Sequence, residues 1–464
     1  MRWALGNCRG VTYYRDTPDQ GDTMISFHRS ARHFLAHALA ATAVLATCGA
    51  RADTPPAGWT ASNVEFVGYT IMNERPAFKI TMTRAGDRWY IIGGHYNIPG
   101  WSVVDVTDPK NPRVAKFIPG PPNTSTNQVD LADNILVGAL GRPTAREDAG
   151  MDAKNPYEAG VILIDVKDPL NPKELGRWHT DKPEGRGTHR NAYTGGRYVH
   201  LAADMKGYDG DIYVILDISN PAKPVEAGRW WVPGQHVAGG ETPQKDPNIN
   251  LHSPNAFDGN LVYLGYGDAG MIVLDISDVS KPKLVSKLKF EQRHRFDAHT
   301  VLLEPGRKLA YVNSEGVTYN CKGPLEHATI VDVSDPAKPV PLSRYPVPIP
   351  PPGLPYTSFC DKGGRFGAHN QNQLQYHPNV QKQGNLAYLT WFNAGLRIYD
   401  VSDKRLPREI GYFMAGPPEK QYLKAYGPFV RMEDVFVDTR GYIYVTGGAQ
   451  QGLYILRYTG PNKN

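Results

Sequence analysis

The stretch VVDVTDPKNP at Val103–Pro112 decides the fold, because the chain repeats it with small changes. Five further copies occupy residues 163–172, 215–224, 273–282, 330–339 and 398–407. The central aspartates of successive copies lie 52 to 68 residues apart. Repetition at this spacing predicts one supersecondary unit that stacks on copies of itself.

Each copy begins with an aliphatic run that is too short for a helix and lacks its period, so it predicts a strand. The Asp and Pro residues that follow predict a turn, because Asp can cap a turn with its side chain and Pro fixes φ. An alternating stretch then predicts the next strand, as in ELGRWH (Glu174–His179). Two more strands, joined by tight turns, precede each copy. Four short strands with no helical pattern are typical of a propeller blade.

The end of the chain indicates a seventh blade. GLYILRYTG (Gly452–Gly460) reads as the third strand of a blade, and no sequence follows it to form the fourth. VEFVGYTI (Val64–Ile71) is similar to the strands that follow the repeated phrase. We therefore predict an all-β fold over residues 64–464, a seven-bladed β-propeller of four-stranded blades that the N-terminal strand closes.

Residues 1–52 predict an N-terminal extension and signal peptide, and residues 53–63 a linker. From Met24, basic residues precede the apolar run FLAHALAATAVLA (Phe34–Ala46), and a small-residue cleavage site lies near Ala52. Translation could begin at Met1 or at Met24. Thr47 stands directly before Cys48, which disfavours a lipoprotein. The mature chain is expected in the periplasm or outside the cell, with no transmembrane segment.

Composition narrows the partners. The 464 residues carry a formal net charge of +5 and no run of Lys or Arg, which argues against nucleic acid. Cleavage of the signal would leave two of the four cysteines, Cys321 and Cys360. In an oxidising compartment an even count favours a disulfide, with two free buried thiols as the alternative. Nothing in the sequence indicates the oligomeric state.

Histidines recur at one register of the blades. In blades three, four and five, His189, His252 and His299 each lie eight residues before the same point of the tight turn after the first strand. His369 opens blade six at the matching place, and Glu433 takes it in blade seven. The first strand of a propeller blade lines the central channel, so residues at one register form a ring about the axis.

The alignment leaves alternatives open. Blade six could instead place Asn372 or His377 at this register, and blades one and two have Ile80 and Thr126 there. Neutral His is the commonest metal ligand, so four converging imidazoles predict a metal site. Ordinary buried histidines, or a hydrogen-bonded ring without metal, would give the same pattern. Glu433 could be a ligand, a partner that orients a histidine, or the catalytic general base.

Three long loops should gather at the face where the first strands begin. They are Trp231–Leu251, Pro346–Ala368 and Ala139–Gly160, and His95 lies on the same side. Long loops around one channel mouth predict a binding site for a small-molecule substrate, although single loops also tolerate insertions without function.

The repeated phrase, with LIDV, IVDV and VLDI followed by DPxxP, resembles the LVIVD-repeat family of secreted bacterial and archaeal β-propellers. The resemblance covers six phrases between Val103 and Pro407. It implies the fold and no particular reaction, because the family is defined by a repeat.

The predicted histidine ring also resembles, in architecture, the four-histidine centre of carotenoid-cleavage oxygenases. That resemblance implies non-haem iron held by His189, His252, His299 and His369, with Glu433 behind a ligand. The sequence motifs around these residues differ from that family's. Copper-dependent methanethiol oxidases related to selenium-binding protein, and manganese-dependent oligogalacturonate lyases, are similar combinations of propeller and histidine ligands. The expected metal is therefore Fe, Cu or Mn, with Fe placed first.

Three functions follow, in order. The first is a periplasmic or secreted metal-dependent oxidoreductase of oxygenase type. The second is a non-catalytic surface or binding propeller, and the third is a metal-dependent lyase. No GxSxG motif is present, which argues against a serine hydrolase.

Overall fold

The computed structural model describes residues 53–96, 98–144, 150–243, 249–290, 298–423, 426–448 and 451–461. The predicted signal peptide, with Cys48 and Ala52, lies outside these ranges. Within them the chain is almost entirely β-structure. Its strands, in chain order, are β1 (Thr60–Ser62), β2 (Val64–Thr70), β3 (Ala77–Ala85), β4 (Arg88–His95), β5 (Gly100–Asp105), β6 (Arg113–Pro119), β7 (Val129–Ala132), β8 (Ile135–Leu140), β9 (Gly160–Asp165), β10 (Lys173–His179), β11 (Thr188–Ala192), β12 (Tyr198–Asp204), β13 (Asp211–Asp217), β14 (Val225–Trp230), β15 (Ser253–Asp258), β16 (Leu261–Gly265), β17 (Met271–Asp275), β18 (Lys283–Leu288), β19 (Ala298–Glu304), β20 (Leu309–Ser314), β21 (Ala328–Asp332), β22 (Val340–Arg344), β23 (Leu386–Thr390), β24 (Leu396–Asp400), β25 (Arg408–Met414), β26 (Val435–Val437), β27 (Tyr442–Thr446) and β28 (Leu453–Tyr458).

Helical structure in the described part is limited to one short α-helix and two 3₁₀ turns. They are α1 (Phe359–Lys362), Val237–Gly239 and Pro305–Arg307. None of the described helices has the length or hydrophobicity needed to span a bilayer.

The strands form seven antiparallel four-stranded sheets, which confirms the predicted propeller. Blades one to five are β3–β6, β7–β10, β11–β14, β15–β18 and β19–β22. In blade seven, β26, β27 and β28 are completed by β2, with Val64 opposite Tyr458 and Thr70 opposite Leu453. The N-terminal strand therefore closes the ring, as the sequence predicts, and leaves no open edge between the chain ends.

Blade six departs from the prediction at both of its edges. β1 pairs with β25 on the outside, so residues 53–63 are not simply a linker. On the inside, the stretch that includes His369 is irregular and meets β23 through a single bridge between Gln371 and Leu389. Blade six is consequently β1, β25, β24 and β23, with an amide-rich segment in place of a regular innermost strand.

Each copy of the repeated phrase ends a third strand and forms the turn to the fourth. In blade three, Asp217 Oδ1 accepts a hydrogen bond from Ser219 N at 2.8 Å, and Asn220 Oδ1 accepts one from Ala222 N at 3.2 Å. The same pair of side-chain-capped turns forms in the other five copies. The Asp residues repeat because each one satisfies turn amides that no strand can reach.

A β-bulge in the fourth strand of every blade brings that strand onto the next blade. In blade three the bulge inserts Ala227 before Gly228. A Cβ added at Gly228 would lie 2.0 Å from the carbonyl oxygen of Val279, in the turn of blade four. Glycine is required there by this close approach of two backbones.

The equivalent residues of other blades make the same contact in one of two ways. Gly68 and Gly176 approach carbonyl oxygens of the following blade so closely that a Cβ would lie 2.1 and 2.3 Å from them. Ser286 and Ser343 instead donate hydroxyl hydrogen bonds, at 2.6 and 2.8 Å, to carbonyl oxygens of the following blade. The repeated phrase thus joins blades as well as strands.

The hydrophobic core lies between neighbouring blades. One cluster, for example, combines Val137 and Leu163 of blade two with Leu201 and Val214 of blade three. Because these layers fill the space between sheets, the innermost strands are held rigidly around the axis. Cys321 and Cys360 form a disulfide, with Cα atoms 5.4 Å apart, between the loop after β20 and α1.

Candidate functional site

Four imidazoles from four consecutive blades meet in one arc around the channel. The Nε2 atoms of His189 and His252 are 2.7 Å apart. The ring centroids of His252 and His299 are separated by 3.7 Å, and those of His299 and His369 by 4.6 Å. The structure therefore brings together all four histidines that the repeat aligned. Their role as metal ligands stays a prediction.

Local bulges of the innermost strands aim two of these histidines inward. In β11 the register shifts between Thr188 and Arg190, which makes His189 the extra residue. In β19 it shifts between Ala298 and Thr300, which makes His299 the extra residue. A bulge bends its strand and re-aims a side chain, and bulges are frequent beside active sites.

Backbone hydrogen bonds show that the other aligned residues share one position. The amides of His252, His369 and Glu433 donate to the second strands of their own blades at 2.9, 2.9 and 3.0 Å. His369 is therefore the residue of blade six that belongs to the ring. His377 lies elsewhere, with its Nδ1 accepting from Asn379 N, and Asn372 donates to Gln381 O.

A carboxylate that the sequence analysis did not select completes the cluster. Glu315 directly follows β20, and its oxygens lie 3.8 Å from His299 Nε2 and 3.7 Å from His369 Nε2. Potential ligand atoms of His252, His299 and Glu315 all lie within 4.8 Å of one another. The available signal was its place at the end of a second strand, on the face of the long loops.

The cluster forms the floor of a cavity of about 560 Å³. Two of the three long loops that the sequence pointed to contribute to its walls, through Arg142 of the loop after β8 and Arg365 of the loop before His369. The volume is in the range of small-molecule sites. The channel mouth is therefore open rather than filled by side chains.

Below the histidines the channel is filled by a polar network. Arg190 contacts the side chains of Asn370 and Gln373. Lys79 donates to Asp434 at 2.8 Å in a pair that is almost fully buried. These contacts separate the cavity from the opposite face of the propeller.

Glu433 stands behind His369 and does not line the cavity. Its side chain is fully buried, with Oε2 3.4 Å from His369 Nδ1 and Oε1 2.7 Å from the Nη2 of Arg431. His369 Nδ1 lies 2.7 Å from the carbonyl oxygen of Glu433 and donates to it, which leaves Nε2 facing Glu315. Of the three roles open to Glu433, its position suits a partner that orients a histidine.

Burial keeps the four imidazoles uncharged. It lowers the pKa of His189 to about 4 and that of His369 to about 3, and it holds the pKa values of His252 and His299 well below their usual range. His189 is the exposed member, and the surface that it exposes lines the cavity. Unprotonated imidazole is the form that binds metal ions.

The two carboxyls differ. Burial opposes ionisation of Glu315, but the guanidinium of Arg365 at 2.5 Å holds the pKa of Glu315 well below its usual range. Burial raises the pKa of Glu433, and Arg431 opposes that rise. Glu315 is therefore the anionic group that faces the histidines.

Other residues considered from the sequence lie outside the cluster. His95 is buried against Ser102, His200 against Tyr213, and His236 stacks on Tyr208. Asp297 is not among the described residues.

In blade one the tight-turn alignment is offset. The register of β3 shifts between Ala77 and Ile80, so Phe78 lines the cavity while Ile80 packs in the core. In blade two, Ser125 and Asn127 line the cavity rather than Thr126.

A family model described as the LVIVD repeat matches residues 207–231, 256–289, 327–347 and 378–415, one segment in each of blades three to six. A search among curated proteins finds no match.

Several solved structures share the architecture. U3-55K aligns with a TM-score of 0.51 at 9% identity, over 87% of this chain and 100% of that one. The RRP9 WD40 repeats align with a TM-score of 0.50 at 10% identity, over 88% and 99%. A hypothetical selenium-binding protein from Sulfolobus tokodaii aligns with a TM-score of 0.47 at 14% identity, over 81% and 91%.

Identities this low show a common fold and leave activity open. The matched repeats coincide with four of the six copies of the phrase, and the seven sheets form the ring that those copies predict. The chain is an LVIVD-repeat protein with the fold of a seven-bladed β-propeller.

Proposed function

We propose that this protein is a metal-dependent oxidoreductase whose metal ion is held by His189, His252, His299 and His369. The observation that carries the proposal is the convergence of these imidazoles and the Glu315 carboxylate at the floor of one cavity. Side chains that serve only to pack do not gather four bases and an anion beside an open space.

The donor set fits a redox-active ion. It offers imidazole nitrogens and one carboxylate, with no thiolate among the described residues around it. Imidazole suits iron and copper, and carboxylate suits manganese, so Fe, Cu and Mn remain the expected metals, with Fe first. The absence of thiolates and the adjoining cavity disfavour a closed structural zinc site.

The chain holds the donors in fixed orientations. Thr300 Oγ1 lies 2.7 Å from His299 Nδ1, and the carbonyl of Glu433 accepts from His369 Nδ1, so the Nε2 atoms are left for the cavity. Arg365 holds the Glu315 carboxylate by an ion pair. Contacts of this kind fix the tautomer and direction of metal ligands. A bound ion would supply Lewis-acid and one-electron redox chemistry to a substrate in the cavity.

We place the mature protein in the periplasm or outside the cell. The Cys321–Cys360 disulfide supports this address, because disulfides persist mainly in oxidising compartments. The apolar run before Ala52 agrees with export through a signal peptide.

The test is elemental mass spectrometry on protein purified from the periplasm without a histidine tag. We expect about one Fe, Cu or Mn ion per chain. His252→Ala and His299→Ala should each lose it while remaining folded by circular dichroism. The matched control is His179→Ala, because His179 is exposed at the edge of blade two and remote from the cavity.

Two outcomes would overturn the proposal. If the wild-type protein holds no metal and takes none up from Fe(II), Cu(II) or Mn(II), the histidine-lined cavity belongs to a binding propeller. If it holds only Zn(II) or Mg(II), the site is a metal site without redox chemistry, and a metal-dependent lyase becomes the better candidate.

A further inference from the structure

A second buried group faces the same cavity and is not explained by the metal-ligand set. The side chain of Arg431 is 2% exposed and lines the cavity wall. Its Nη2 pairs with Glu433, but Nε and Nη1 are buried without a hydrogen-bond acceptor among the described residues. Buried guanidinium donors without partners are costly, and in a cavity wall they indicate a missing anion.

The position of Arg431 is imposed by its neighbours. Its guanidinium lies 4.1 Å from the ring centroid of Tyr426 and 5.6 Å from that of Phe392. The guanidinium of Arg365 lies 4.3 Å from the ring of Phe392. A guanidinium stacked on aromatic rings keeps the N–H donors in its plane available for a planar carboxylate.

Phe392 adopts a strained conformation to occupy this place. Its φ is 45°, in the left-handed region that a bulky residue rarely adopts, and its ring lies 4.5 Å from that of His369. Met432 donates its amide to the carbonyl of Phe392 at 3.0 Å and fixes the turn. Strain of this kind persists where the surrounding structure imposes it, often at binding sites.

Aromatic rings connect Arg431 to the histidine cluster along one wall. The centroids of Tyr426 and Tyr96 are 5.8 Å apart, those of Tyr96 and Phe78 are 4.8 Å apart, and Phe78 lies 6.0 Å from His369. The wall offers an apolar surface between a cation and the metal-ligand set. Rings and flat apolar bodies pack well on such a surface.

The charge of the lining agrees with an anionic ligand. Four guanidinium groups, those of Arg142, Arg186, Arg365 and Arg431, face the cavity against two carboxylates, Asp211 and Glu315. Arg142 is exposed near the opening, and it has no ionic partner among the described residues. A cationic cleft raises the local concentration of anions.

We propose that the cavity binds an aromatic monocarboxylate, with its carboxylate on Arg431 and its ring against Phe78, Tyr96 and Tyr426. This places the ring beside His369 and thereby names a substrate class for the oxidoreductase. The inference rests on the proposed function for its chemistry, but the binding itself needs no metal.

The experiment is calorimetric titration of chelator-treated protein with benzoate and with benzamide, its uncharged isostere. Wild-type protein should bind benzoate at least ~10-fold more tightly than benzamide. Arg431→Met should weaken benzoate binding by ~10-fold to 100-fold and leave benzamide unchanged. Arg431→Lys should restore part of the preference. Arg84→Met is the matched control, because Arg84 lies at the far end of β3, outside the cavity.

Removal of Arg431 leaves the buried Glu433 without its cation, so Arg431→Met could fail to fold. The double variant Arg431→Met, Glu433→Gln removes both charges and keeps the test open. Equal affinity for the two ligands, no binding of either, or full benzoate affinity in the folded Arg431 variants would each overturn the inference. Metal content is measured on separate samples. Benzoate binding without any metal would therefore contradict the proposed function alone, and metal without benzoate binding would contradict the subsite alone.

Discussion

The contact between each fourth strand and the turn of the next blade predicts how a single methyl group will destabilise the ring. The perturbation is Gly228→Ala. The new Cβ would lie 2.0 Å from the oxygen of Val279, 3.0 Å from its carbonyl carbon and 3.1 Å from Ser280 Cα. Ordinary van der Waals contact begins near 3.4 Å. The two backbones must therefore separate by roughly 1.4 Å at the oxygen.

The magnitude follows from what holds the turn. Ser280 N donates to Asp278 Oδ1 at 3.0 Å, and Lys281 N donates to Asp278 O at 3.0 Å. Overpacking costs about 1–3 kcal/mol, and distortion of one turn hydrogen bond adds about 1 kcal/mol. The free energy of unfolding should fall by about 2–4 kcal/mol. Because unfolding entropy grows with chain length, each kcal/mol lowers the Tm of a ring of about 400 residues by only about 1 °C, so the expected fall is about 2–5 °C.

The assay is thermal unfolding followed by circular dichroism, at one scan rate, for wild-type protein and two variants. Gly306→Ala is the control, since an added Cβ at Gly306 would meet nothing within 4 Å. That change should leave the Tm unchanged or slightly raised, because alanine reduces the entropy of the unfolded chain. If Gly228→Ala melts within about 1 °C of Gly306→Ala, the blades are not held by this contact and the reasoning is wrong.

Two further predictions concern the disulfide and the response to acid. Cys321→Ser opens a bridge between residues 39 apart in sequence and should cost about 4 kcal/mol, so dithiothreitol should lower the Tm of the wild-type protein and leave the Tm of the variant unchanged. Burial lowers the pKa of His200 to about 3, so its neutral form stabilises the fold above about pH 6.5, and this contribution is lost as the pH falls towards 3. His200→Gln should therefore flatten the loss of stability between pH 6.5 and 4 by about 3 kcal/mol, measured by urea unfolding across that range; an unchanged slope would mean that His200 is not held neutral.

Much of the fold could be predicted because the same local chemistry recurs in every blade. The Asp of the phrase, the turn and the following strand are each set by short-range hydrogen bonds, so sequence spacing alone locates them. β1 was missed because three polar residues outside any repeat carry no strand pattern. The inner stretch of blade six is irregular because amide side chains replace the ladder. Asn370 Nδ2 donates to Glu433 O at 2.8 Å, and Gln371 Nε2 donates to Asn313 Oδ1 at 2.7 Å.

The site was partly predictable for the same reason. The histidines share a register of the innermost strands, and propeller symmetry converts a shared register into proximity. Glu315 belongs to a different strand and has no counterpart in other blades, so no repeat could reveal it. The direction of Glu433 and the exchange of Phe78 for Ile80 depend on bulges, where one extra residue turns a side chain to the other face.

The pairing of β2 with β28 also dictates an order of events in time. Val64, near the first strand to be synthesised, must wait for Tyr458 before it finds its partner. Until then the early strand is an unprotected edge, and the largest loop of the chain is still unclosed. Closure is therefore the last step available to a nascent chain, which can remain extended while it is made and acquire its ring after release. A slow final folding phase is the kinetic consequence of joining the two ends of the chain in one blade.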